Sequence, residues 1–170
     1  MSVLNRNPQN TNILQPTKFL LTFNRIGAVQ YFCQSVNLPG FSLQEITRST
    51  PFIDTYSPGT KLTYNALEVS FIIDEALVGW KNLHDWFTSI ASPEGFEKRY
   101  DTSLDKTNKN LSDANLTILS ALNNPVARIQ FINAFPTTIT DINFDTTLSA
   151  DTIITARATF RYDYYKVITV

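Results

Sequence analysis

A chain of 170 residues, 43% of them hydrophobic, is long enough for one domain with a real core. Only 17% is charged and the net charge is −1, which excludes the basic excess of a free nucleic-acid-binding domain; the polar surface is instead Asn, Thr, Ser and Gln, a surface suited to meeting other protein. A single cysteine, Cys33, excludes an internal disulfide and a cysteine-rich metal site, and no apolar run or leader-like start marks a membrane anchor or a signal, so synthesis in a cytoplasm is expected.

Residues 1–17 are polar, rich in Asn and Gln, and interrupted by Pro8 and Pro16. They are expected to form an extended arm, ordered only where a neighbouring chain holds it, ahead of a single domain over residues 18–170. Residues 18–24 read as the first strand and 30–37 as the second, ending at Leu38-Pro39-Gly40. Residues 41–64 read as a long hairpin: strands are expected over 41–47 and 51–56, and Pro58-Gly59 reads as a turn pair. Phe52, Ile53 and Tyr56 within it are apolar residues that a lone domain has trouble covering, so this hairpin is the first interface candidate.

Residues 65–90 organise the rest. Leu67, Val69, Phe71 and Ile73 alternate with Glu68, Ser70 and Ile72, the period of a strand with one buried face. Asp74 is placed to N-cap a helix and Glu75 to favour its dipole. Leu77, Trp80, Leu83, Phe87 and Ile90 then recur at helical steps, giving a packing stripe that must lie against sheet. Residues 92–111 read as a polar surface excursion. Strands are expected over 114–120 and 127–133, the second broken by Phe135-Pro136, with a short strand over 139–144. A long final strand over 152–167 places Ala156, Ala158, Phe160, Tyr162 and Tyr164 on one face and Arg157, Thr159, Arg161 and Asp163 on the other.

No catalytic constellation emerges. His84 is the sole histidine, and its neighbour Asp85 points elsewhere on a helix. Asp141, Asn143 and Asp145 open like a calcium loop, but Thr146 stands where glycine is required and Thr152 where the bidentate glutamate belongs. Asp74-Glu75 is explained by helix capping, and the five glycines are too scattered for a phosphate loop. Cys33, beside Tyr31 and Phe32, reads as a buried small apolar residue. An enzyme is not expected, nor a cofactor or metal.

The order of these features resembles the tail tube proteins of contractile-tailed bacteriophages, a family that includes tube-initiating baseplate rings and inner tubes of contractile injection systems. Leu38-Pro39-Gly40, the Pro58-Gly59 hairpin, LEVSFIIDEALVGWKNLHDWF, Asn133-Ala-Phe-Pro136 and ATFRYDYYKV carry the resemblance, which spans residues 18–167. It implies a mainly β (α+β) fold: an antiparallel β-sandwich or barrel-like subunit with one flanking helix and a long hairpin. It further implies a structural virion protein, six to a ring, with rings stacked into the inner tube that conducts phage DNA.

Partners implied are other copies of the chain, the tail sheath, and baseplate or neck rings, with DNA only in transit. The hairpin (Phe52, Ile53, Tyr56, Pro58, Gly59) would join subunits and the arm (Leu4, Ile13, Leu14) would join rings. A tube-like ring at the baseplate or neck is the alternative within the class. Because phosphate would stick to a basic lumen, Arg157 and Arg161 are expected to pair with acids or face away from it. A monomeric β-sandwich recognising glycan through Tyr and Trp is the reading from another class; Trp80, on the apolar stripe of the helix, argues against it.

Overall fold

The computed structural model describes residues 12–27, 32–93, 95, 110–147, 149 and 151–169. Its strands are β1 (Phe19–Phe23), β2 (Cys33–Val36), β3 (Phe41–Ser49), β4 (Asp54–Tyr64), β5 (Leu67–Ile72), β6 (Ser112–Leu119), β7 (Pro125–Ile139), β8 (Thr155–Arg161) and β9 (Tyr164–Thr169). Helix α1 (Val78–Ile90) lies between β5 and β6. All strand pairings among the described residues are antiparallel.

Seven strands form one curled sheet in the order β1-β6-β7-β8-β5-β2, with β9 also on β7. The sheet does not close into a barrel. β1 and β2 face each other across a cleft of about 360 Å³ lined by Pro16, Phe19, Leu20, Leu21 and residues 33–36. Alternation decides what points inward: Leu67, Val69 and Phe71 on β5, Ala156, Ala158 and Phe160 on β8, and Leu21 and Phe23 on β1 are all buried. The two halves of the curled sheet lay these residues against one another, and α1 covers them through Leu83 and Trp86.

The curl is made at one corner. On the first half of β7 Ile129 and Phe131 point inward, whereas on the second half Ala134 and Pro136 do, so the facing parity flips between them. Asn133 sits at the flip with φ 56, a left-handed conformation that asparagine tolerates better than most residues. Its N–H donates to Asp113 Oδ1 (3.2 Å) and its Nδ2 to Asp163 Oδ2 (2.6 Å). The final stretch of chain bends at the same place: β8 pairs with the second half of β7, β9 with the first, and Asp163 N–H donates to Ile132 O at 3.1 Å between them.

Several expectations are corrected here. Phe135-Pro136 does not break β7; beyond Ala134 its only paired neighbour among the described residues is β8, an edge position where proline is tolerated. The expected strand over 139–144 ends at Ile139. The long final strand is split at Tyr162-Asp163, and the extra residue of that corner turns Tyr165 toward the core and leaves Tyr164 40% exposed.

Pro58-Gly59 is not a turn. Both lie inside β4, opposite a register shift between Leu43 and Glu45, and a Cβ on Gly59 would stand 2.3 Å from Gln44 O. Glycine is needed there for close approach across a bulge. The chain reverses instead at residues 50–53, where Thr50 N–H donates to Ile53 O at 3.1 Å.

Helix α1 starts later than expected. Asp74 does not occupy the N-cap; Leu77 does, with φ 54. The Asp74 carboxylate nevertheless accepts from the first-turn donors Val78 N–H (3.1 Å) and Gly79 N–H (3.3 Å). The buried face is also displaced from the expected stripe. Gly79, Leu83 and Trp86 are buried, Trp80, Phe87 and Ile90 are half-buried, and Leu77 stands ahead of the helix, 36% exposed. Trp86 can go deep because its Nε1 donates to Asn110 O at 2.8 Å, satisfying its one polar atom.

Candidate functional site: assembly surfaces

Among the described residues, the β3–β4 hairpin leaves a run of apolar side chains uncovered. Every residue of β3 is exposed, and β4 is exposed except at Ser57, Gly59 and Tyr64. Phe52 at the tip is 93% exposed, and Ile53, Tyr56, Phe41, Leu43, Ile46 and Leu62 are exposed as well. Leu43, Ile46 and Leu62 are additions to the expected interface; only their place between the better marked residues could have indicated them. Pro58 and Gly59 shape the bulge rather than form the tip. With its nine-residue β3 at ~3.3 Å per residue, the hairpin projects about 30 Å.

A two-stranded hairpin with no second layer is marginal in water. Sequence-local bonds hold its end: Ser49 Oγ donates to Asp54 Oδ1, and Thr55 Oγ1 to Arg48 O at 3.1 Å. Among the described residues nothing covers its apolar side chains, the condition under which exposed apolar surface marks an interaction site.

Two further surfaces are apolar. A groove of about 370 Å³ runs between α1 and the segment after β7, lined by Leu77, Trp80, Ile139, Thr140, Ile142 and Phe144. Trp80 and Leu77 therefore serve this groove more than the core. Of the arm, Leu4 lies outside the described residues; Ile13, 91% exposed, and Leu14 stand clear of the body ahead of β1. The polar excursion expected over 92–111 lies largely outside the described residues as well.

The outward faces of the curled sheet are polar and sparingly charged. Arg157 Nη1 lies 3.8 Å from Glu68 Oε2 on the neighbouring strand, an exposed pair, and Arg161 Nη1 donates to Tyr64 O at 3.4 Å. His84 stacks on Trp80 with ring centroids 5.3 Å apart, and its Nδ1 is 3.6 Å from Asp85. Asp145 accepts from Thr147 N–H (2.8 Å) and Oγ1 (2.7 Å), bonds that hold its carboxyl below the usual range and explain its placement as a local turn. Among the described residues no group of three His, Cys, Asp or Glu side chains is placed to hold a metal, and no helix is long and apolar enough to cross a membrane. Burial pushes the Cys33 thiol up to about 11, away from reactivity.

The sequence matches the phage tail tube protein family over residues 8–168. The tail tube terminator protein of Enterobacteria phage T4 is 24% identical over 165 residues, covering 92% of this chain and 89% of the relative. Among solved structures, the tube terminating cap of the anti-feeding prophage superposes with a TM-score of 0.67 at 16% identity, covering 100% of both chains. The sheath/tube terminator of the extracellular contractile injection system PVC does so with 0.65 at 16% identity, covering 93% of this chain and 98% of the other. These relatives are structural proteins, not enzymes. The chain belongs to the phage tail tube protein family and is a structural protein of the virion tail.

Proposed function

We propose that the chain forms a ring of six that terminates the tail tube at its neck end. The observation that carries the ring is the β3–β4 hairpin, a projecting element whose apolar residues meet no second layer among the described residues. A hairpin on one subunit meeting a different surface on the next is a heterologous contact, and such contacts close into a ring when the rotation between neighbours is a whole fraction of a turn. Similarity along almost the whole chain to a tube terminator favours the end of the tube over its repeating subunit or a baseplate ring.

The N-terminal arm, with Leu4, Ile13 and Leu14, then reaches the adjoining tube ring, and the remaining neighbours are the sheath and other neck proteins. The lumen passes DNA without holding it, a reading that the net charge of −1 and the pairing of Arg157 with Glu68 support. Incubating labelled protein with preformed tail tubes tests the reading by electron microscopy. Label confined to one end of each tube is expected. Label along the whole length would assign the repeating subunit instead, and a compact monomer that ignores tubes would defeat the ring.

A further inference from the structure

The hairpin joins the body at a single root with unusual construction. The chain leaves at Pro39-Gly40 and returns at Asn65, whose N–H donates to Gly40 O at 2.9 Å. Two tyrosines from the far end of the sequence hold both ends. Tyr162 Oη donates to Asn65 O at 2.8 Å, and Tyr165 Oη to Pro39 O at 3.3 Å. Their rings also bridge outward from the core. Phe131, fully buried, lies 5.0 Å from Tyr162 and 5.7 Å from Tyr165, centroid to centroid. Tyr165 in turn lies 5.2 Å from Tyr64 and 6.3 Å from Phe41, the last and first residues of the hairpin. Tyr162 is itself seated by the β8–β9 corner, where Asp163 is bonded to both Ile132 and Asn133.

We propose that Tyr162 and Tyr165 are positioning residues: a clamp that sets the angle at which the hairpin leaves the body. Two hydroxyl bonds to opposite ends of the hairpin fix a line, and the ring contacts with Phe41 and Tyr64 restrict rotation about it. Leverage makes the angle matter. A rotation of about 10° at the root moves a tip about 30 Å away by about 5 Å, more than the tolerance of a packed contact. Both acceptors are main-chain carbonyls, so the hydroxyl half of the clamp does not depend on hairpin side chains, whereas the ring half depends on Phe41 and Tyr64. The proposal concerns the isolated chain and stands or falls independently of the ring reading.

Pulsed electron spin resonance on the full chain tests it. With Cys33→Ser as background, nitroxides on Arg48→Cys in β3 and Lys81→Cys on α1 report the hairpin-to-body distance, in an excess of unlabelled protein. The double variant Y162F/Y165F keeps both rings and loses both hydroxyls; its distance distribution is expected to at least double in width. Thr137→Val, which removes a hydrogen bond of Thr137 Oγ1 to Thr159 O away from the root, is expected to keep the parental width. Parental width in the double variant, or equal broadening in Thr137→Val, would overturn the clamp, since an aromatic cluster that is merely structural moves the melting temperature and not the angle. Tyr165→Phe alone gives the same reading if the double variant does not fold: an intermediate width is expected, and parental width overturns the proposal.

Discussion

The body and the hairpin are built by the same alternation of apolar and polar residues and come to opposite ends. On β5 and β8, Leu67, Val69, Phe71, Ala158 and Phe160 meet a second layer and lose all contact with water. On β3 and β4, Phe41, Leu43, Ile46 and Leu62 have comparable apolar area and stay exposed. Each buried large side chain contributes roughly 1.5–3 kcal/mol to the body, while the same residues on the hairpin contribute only where something else covers them. Among the described residues the stabilising burial therefore lies in the body, and the proposed role of the hairpin is association.

Mutations that empty the body should separate the two regions most strongly. Phe160→Ala removes a ring that touches Phe23 and Trp86 and is expected to cost about 3–5 kcal/mol. A lower urea midpoint with an unchanged slope would show it, whereas wild-type stability would deny the body its role. Asn133→Ala loses the left-handed tolerance and the bond to Asp163, at an expected cost of roughly 1–3 kcal/mol in the same assay. Asn133→Gly should recover the backbone share of that loss; equal damage from both would place the whole effect in the side-chain bond.

A smaller effect is expected at alkaline pH. Burial, with Tyr165 and Tyr64 nearby, pushes Tyr162 up to about 12 from an ordinary 10.0. The neutral phenol is thus favoured in the folded state, so its stabilisation is complete below pH 10 and is lost as pH rises through 12. Melting temperature should fall across that window, and Tyr162→Phe should flatten the part of the fall that this phenol causes. The smallest change in stability is predicted for Phe52→Ser combined with Ile53→Ser, within about 0.5 kcal/mol of wild type. Sedimentation should nevertheless show loss of assembly. Rings that persist would move the interface away from the hairpin tip.

Much of this architecture is legible from residue order. The inward faces of β5 and β8 follow from period-two alternation, and the reversal between residues 41 and 64 from dense turn signals. The bulge at Pro58-Gly59 was not legible, because proline followed by glycine reads as a turn until the opposite strand is known to press Gln44 O against Gly59. Trp86 was not legible as the deep residue of α1 because helical spacing allows neighbouring stripes, and only packing against the sheet selects the one through Gly79, Leu83 and Trp86. The start is set with Asp74 accepting from the first turn, and the depth of Trp86 by Asn110 O receiving its indole N–H, a partner 24 residues away.

By itself the sequence determined which residues are apolar, how they alternate, and that the chain holds more apolar hairpin than one domain covers; these are local properties, carried by side-chain chemistry and backbone period. Only the tertiary structure decided the corner at Asn133 and Asp163, the edge position that admits Pro136, and the tyrosines that hold the hairpin root. Each of these depends on groups far apart in the chain coming within hydrogen-bond reach, 97 residues apart for Tyr162 and Asn65 and 126 for Tyr165 and Pro39. Local pattern carries no record of such pairs, because chain closure and packing select them together.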